Sequence, residues 1–230
     1  MTIPAGALLL VAAVIFAAYF APLVFRYALI RRLRVRLVRA RAIALTYDDG
    51  PSSNFTPQIL SLLASHRARA TFFMLGQNAL QNPAVADDVA QRGHEIGCHS
   101  DRHFNAWKVS PWKAIRDINE GYWHLRRWVS AKGIFRPPYG KMTLPTYWTV
   151  SRRGSRIWWW TVDSGDTWET LPDPHNVVRD VVNAGGGIVL MHDLDRSASR
   201  NEFVLATTRL LLEAANTHGF KLCTVSELAE

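Results

Sequence analysis

Five stretches place ionisable groups where a β-rich run gives way to a turn. Asp48-Asp49-Gly50-Pro51 follows 43–47, and His99 with His103 follows 95–98. Arg136-Pro137-Pro138-Tyr139-Gly140 follows 133–135. Asp163-Ser164-Gly165-Asp166-Thr167-Trp168 follows 156–162, and His192-Asp193 follows 187–191. In α/β architectures reactive side chains collect at the carboxyl ends of strands. Singly, each stretch has an ordinary explanation: a solvated turn, a surface histidine pair, a loop-anchoring arginine, loop-capping aspartates, a satisfied core histidine. Together they would all have to reach the same sheet edge by coincidence.

The set permits metal-assisted hydrolysis. One carboxylate and two imidazoles form a facial ligand set with open positions, and Asp49, His99 and His103 can supply it. Such sites suit zinc in hydrolases and iron(II) in oxygenases; cobalt, nickel or manganese accept the same donors. Asp48, beside a ligand, is the candidate base for a water, and Arg136 can pair with it and hold it ionised. His192 is the candidate acid, with Asp166 raising its pKa. The Tyr139 backbone N–H can face an oxyanion. No Ser or Cys nucleophile activated by histidine stands out.

The elements that must position these groups alternate. Candidate strands cover 43–47, 70–75, 95–98, 133–136, 156–162, 187–191 and 220–225. Ser53 and Asn54 can cap a helix to about His66, and Asn82-Pro83 opens one that stops at Gly93. Ser110-Pro111 opens the longest, to about Ser130, and others cover 144–153, 174–184 and 201–217. This alternation predicts a parallel sheet with helices outside, either a barrel or an open doubly wound sheet. The run Trp158-Trp159-Trp160 reads as buried strand.

The ordered motifs Thr46-Tyr47-Asp48-Asp49-Gly50-Pro51, His99-Ser100-x-x-His103, Arg136-x-Pro138-Tyr139, Asp163-x-x-Asp166 and Leu190-Met191-His192 resemble the polysaccharide deacetylases. These form carbohydrate esterase family 4, with the nodulation-type deacetylase homology domain. The resemblance covers about residues 41–225. It implies an α/β fold, a distorted (β/α) barrel of about seven parallel strands. It also implies metal-dependent removal of acetyl from N-acetylated sugars of a polysaccharide, oligosaccharide or lipid-linked glycan, or of O-acetyl from xylan-type substrates. Asp48 would be the base, Asp49, His99 and His103 the metal ligands, most readily of zinc, and His192 the acid. Arg136 would support the base and the Tyr139 amide would face the oxyanion. Pro138, Trp168 and Leu190 would contact substrate, with Leu190 lining the acetyl pocket and Asp166 tuning His192. In the family a tryptophan usually follows the second aspartate of the fourth motif directly; here Thr167 intervenes before Trp168.

Charge and hydropathy divide the 230 residues further. Residues 1–25 carry no charged side chain, and residues 26–41 carry seven arginines and no acid. Taking those seven from the net +8 leaves +1 for residues 42–230, so the body shows no nucleic-acid footprint. The apolar run at 3–25 is long enough for one membrane-spanning helix, with Pro22 a possible kink or end. A cleavable signal peptide, which wants positive charge before its apolar run, is the rival reading. The seven arginines place the following body (residues 42–230) on the cytoplasmic face under the positive-inside rule. The alternating stretch from Arg32 to Arg39 reads as an edge strand, a lipid-touching juxtamembrane segment or a solvated linker. All nine tryptophans lie between Trp107 and Trp168; most suit core packing, and Trp107 or Trp112 would make a sugar platform. Cys98 and Cys223 read as free buried thiols, fitting a reducing compartment. The rival functions are an O-acetyl esterase on the same site and a catalytically silent sugar-binding membrane protein.

Overall fold

The computed structural model describes residues 5–129 and 133–228. The chain opens with one long helix, α1 (Ala5–Ala40), and enters β1 (Ala42–Asp48). Next come α2 (Thr56–Ser65), β2 (Thr71–Met74), the short α3 (Gly76–Gln81), α4 (Pro83–Gln91) and β3 (Glu95–Cys98). Then follow α5 (Pro111–His124), β4 (Ile134–Phe135), α6 (Leu144–Arg152), β5 (Arg156–Ile157) and β6 (Val162–Asp163). The chain closes through α7 (Pro174–Asn183), β7 (Gly187–His192), α8 (Ala198–His218) and β8 (Lys221–Leu222).

The strands form one parallel sheet in the order β5-β4-β3-β2-β1-β7-β6, with β8 beside the start of β1. It curls into a half-barrel whose ends are β5 and β6. Strand β1 lies at its centre and is buried at every residue. Side chains alternate across a strand. Ile43, Leu45 and Tyr47 therefore join the core under the helices, and Tyr47 hydrogen-bonds Thr208 of α8 at 2.9 Å. Ala42 and Ala44 face the inside of the curl with Phe73, Ile134, Trp158 and Ile188. The same alternation puts Thr46 and Asp48 on that inner face. In the register Asp48 lies beside Phe73 on one side and His192 on the other.

Several local expectations need correction. The run 156–162 is not one strand: β5 ends at Ile157 and β6 begins at Val162, with the three tryptophans between them outside any strand. Trp158 and Trp159 are buried all the same, because the chain crosses from one end of the sheet to the other there. Ser53 and Asn54 do not cap α2, whose cap position is Phe55; Asn54 instead donates to Asp195. The helix opened by Ser110, which accepts from the Lys113 N–H, ends at His124, so α8 exceeds it; Ser130 lies outside the described residues. Pro22 does not end α1, and the stretch from Arg32 to Arg39 is helical rather than an edge strand. Leu33 and Leu37, four apart, both bury against the inner cluster while Val35 and Val38 stay exposed. One face of a helix explains that pattern; strand alternation does not.

Candidate active site

The carboxyl edge of the sheet gathers the chemistry. Beyond β1 the chain turns sharply: Asp49 has φ 73° and the Gly50 N–H donates to Asp193 Oδ1 at 3.0 Å. A Cβ at Gly50 would lie 2.0 Å from Asp193 Oδ2, so only glycine fits. Asp193 also accepts from the Thr56 hydroxyl at 2.7 Å, and Asn78 donates to the Asp49 carbonyl at 2.7 Å. Burial pushes the Asp193 carboxyl up to about 7, against the bond from Thr56. These contacts aim Asp48 and Asp49 in different directions from adjacent positions.

Asp48 points at arginine. Arg136, with no solvent exposure, donates through Nη1 to Asp48 Oδ1 at 2.8 Å and to Thr46 Oγ1 at 2.7 Å. Its guanidinium lies 4.1 Å from the centre of the Phe73 ring. Burial raises the Asp48 pKa above the usual carboxylate range, and the Arg136 charge opposes that rise. The second oxygen, Oδ2, is 3.7 Å from His99 Nε2.

Asp49 points at both histidines. Its Oδ1 lies 3.5 Å from His99 Nε2 and 3.3 Å from His103 Nε2. His99 Nδ1 donates to the Arg136 carbonyl at 2.7 Å, which leaves Nε2 as a lone-pair donor. Burial and the neighbouring His103 push the His99 pKa down to about 3, so the ring is neutral. His103 arrives by a tight loop, with Ser100 at φ 69° and His103 at φ 61°. Asp117 of α5 holds that loop by accepting from the Arg102 N–H at 2.8 Å and the Phe104 N–H at 3.3 Å. Gly121, one turn further, lets α5 touch the loop, since a Cβ there would sit 2.4 Å from the Ser100 carbonyl carbon.

The donor set suits a divalent cation. Ligand atoms of Asp49, His99 and His103 all lie within 4.8 Å of one another. Asp49 Oδ1 is buried without a hydrogen-bond partner, an expensive state for a carboxylate oxygen unless a cation shares the space.

Across the cleft stands His192. Its Nδ1 is 3.0 Å from Asp166 Oδ1, and its backbone N–H donates to Asp166 Oδ2 at 2.9 Å. Burial opposes a charge on the ring, but the Asp166 carboxylate prevails and the pKa is pushed up to about 9. Asp163 instead accepts from the Gly165 N–H at 2.9 Å. Arg200 fixes this loop by donating to the Asp166 and Trp168 carbonyls.

The cleft between these groups measures 370 Å³ and is also lined by Tyr139, Trp160, Leu190 and Arg196. Tyr139 has φ 55°, and its ring centre lies 4.4 Å from that of His103 with the two planes tilted by 43°. Pro138 is buried beneath the same turn, and Trp168, 53% exposed, lies outside the lining. Trp107 is not free: it packs against α1 and donates to the Met142 carbonyl at 2.8 Å. Trp112 is 81% exposed, on a separate depression with Arg102 and Phe104. Asp193, Asp117, Trp160, Arg196 and Arg200 escaped the sequence reading of the site. Only Asp193 carried a signal, by standing next to His192.

The profile of the polysaccharide deacetylase family matches residues 37–158, more than half of the chain. The chain belongs to the polysaccharide deacetylase family. A peptidoglycan-N-acetylglucosamine deacetylase of Bacillus cereus is 38% identical over 192 residues, 82% of this chain and 88% of that protein. A chitooligosaccharide deacetylase of Azorhizobium caulinodans is 30% identical over 79% of this chain and 91% of its own length. A crystal structure of a peptidoglycan N-acetylglucosamine deacetylase superposes with a TM-score of 0.73 at 29% identity, covering 82% of this chain and 87% of that one. This polysaccharide deacetylase is thus a hydrolase of carbon–nitrogen bonds, on the curled α/β half-barrel described above.

Proposed function

We propose that this polysaccharide deacetylase removes acetyl groups from N-acetylated sugars of a glycan by metal-assisted hydrolysis. The observation that carries the reading is Asp49 Oδ1, buried, unpartnered and faced by the Nε2 atoms of His99 and His103. A divalent ion held by those three residues, zinc being the first choice, would polarise the acetyl carbonyl and acidify a water molecule. Asp48 would take the proton from that water, its other oxygen held by Arg136. His192, kept charged by Asp166, would give a proton to the departing amine. Tyr139, fixed beside His103, would offer its N–H to the oxyanion, and Leu190 would line the acetyl pocket. Names borne by relatives support an N-acetylglucosamine-containing glycan as substrate.

The test is purification, metal analysis and acetate release from N-acetylglucosamine oligomers. One equivalent of metal and metal-dependent acetate release are expected. Full activity in metal-free protein would sink the reading.

The amino-terminal half of α1 would be a single membrane span. The seven arginines after it favour a cytoplasmic body. A second reading, with the body outside, is favoured by relatives named for peptidoglycan. A reporter fused after Glu230 and active in only one compartment separates the two.

A further inference from the structure

The direction of α1 relates the cleft to the bilayer. All strands are parallel, so every reactive loop lies at one edge of the sheet. Arg26 meets that edge: its Nη1 donates to the Gly140 carbonyl at 3.2 Å, one residue from Tyr139. The same guanidinium lies 5.1 Å from the ring centre of Trp160, which lines the cleft. Further on, Val38 packs against Gly185, just before β7, and Arg41 bonds the His218 carbonyl at the end of α8. Both contacts are at the opposite edge. Helix α1 therefore descends along the body from the catalytic edge to the far edge. Its apolar part, residues 5–25, leaves the body on the catalytic side.

That part has the length of a membrane span. Twenty-one residues (5–25) at about 1.5 Å each rise roughly 30 Å, the thickness of a bilayer's hydrocarbon core. Leu8, Leu9, Leu10, Val14, Ile15 and Phe16 are exposed, with nothing of the body over them. Body contact starts inside the apolar stretch, where Tyr19 and Phe20 meet Trp107 and Phe25 stacks on Tyr147. Burying residues 5–25 in lipid thus draws the rim at Trp107 into the headgroup layer. The rim has the make-up for it: Lys141 lies over the Trp107 ring, and Trp112 is exposed beside Lys113. Aromatic and basic side chains are those that settle at membrane interfaces.

We propose that the catalytic cleft opens against the membrane surface and that its substrate is an N-acetylated sugar carried on a lipid anchor. The proposal rests on the deacetylase reading and names the substrate class for that site. A cleft whose rim touches the headgroup layer meets a sugar one or two units from its lipid, whereas a long glycan strand must approach from water.

The full chain in proteoliposomes of phosphatidylethanolamine and phosphatidylglycerol tests both halves. Cys98 and Cys223 are buried, so a nitroxide can be attached selectively to Lys108→Cys at the rim and to Ser65→Cys at the far end of α2. The rim label should be shielded from an aqueous nickel complex and accessible to oxygen, and the other label the reverse. Equal nickel accessibility at both sites overturns the orientation of the cleft. Acetate release should then favour N-acetylglucosaminyl-pyrophosphoryl-undecaprenol over soluble N-acetylglucosamine pentamer by at least tenfold in kcat/KM. Equal or better use of the pentamer overturns the lipid-linked substrate while leaving the deacetylase reading intact. Acetate from neither substrate by metal-loaded protein overturns the deacetylase reading and the substrate class with it, and the label result stands on its own.

Discussion

Asp166 grips His192 twice, taking the imidazole Nδ1 at 3.0 Å and the backbone N–H at 2.9 Å with its two oxygens. The double contact fixes the ring's orientation and leaves Nε2 facing the cleft. It also holds the pKa at about 9 although burial alone would lower it. In the proposed mechanism His192 works as the acid in its protonated form, so turnover should be lost as pH rises through that value. Asp166→Asn removes the charge and keeps the shape. The alkaline limb of the kcat profile should move down by one unit or more. An unmoved limb would remove Asp166 from this role.

Adjacent aspartates should fail in different ways. Asp49→Ala takes away the carboxylate between the two imidazoles, so metal content and activity should fall together. Asp48→Asn leaves those three donors in place, so metal should stay while kcat drops by about 10²–10⁴-fold. Elemental analysis beside steady-state rates reads both. An Asp48→Asn protein of full activity would eliminate the base.

His192→Ala distinguishes leaving groups. An amine departs poorly without a proton, whereas an alkoxide from an acetyl ester departs more readily. Acetate release from an N-acetylated sugar should fall at least tenfold more than release from an O-acetylated one. Equal losses on amide and ester would argue that His192 only shapes the cleft.

The basic half of α1 should behave as part of the body. Leu37 is 1% exposed in the inner cluster. Leu37→Ala should cost about 2–5 kcal/mol, seen as a lower melting temperature of the full chain in detergent. Val35, exposed on the other face, should tolerate alanine within roughly 0.5 kcal/mol. Equal melting temperatures for the two variants would mean that this half of the helix does not dock.

The local sequence carried some of this plainly. Asp-Asp-Gly-Pro after an apolar run, His-x-x-x-His after another and a strand-end histidine are legible because strand alternation and turn residues are short-range. Helix starts at Ser110 and Pro83 were legible for the same reason. The basic stretch was ambiguous because Leu33, Val35 and Leu37 fit an alternating strand as well as a helix until one knows which of them are covered. The tryptophan run misled because burial was right and extended pairing was wrong: Trp158 and Trp159 are buried while the chain crosses between the sheet's two ends.

Residue types and their short spacings thus determined the α/β alternation and the apolar amino-terminal run, and singled out the candidate donor set, acid and base. Tertiary structure alone decided that Asp193 braces the Gly50 turn, that Asp117 shapes the histidine loop, and that Asp166 rather than Asp163 meets His192. It also decided that α1 meets the body at the rim of the cleft. Each of these joins residues distant in sequence through a sheet register or a helix packing angle. Such contacts are set by the burial of the whole core, which no local pattern encodes.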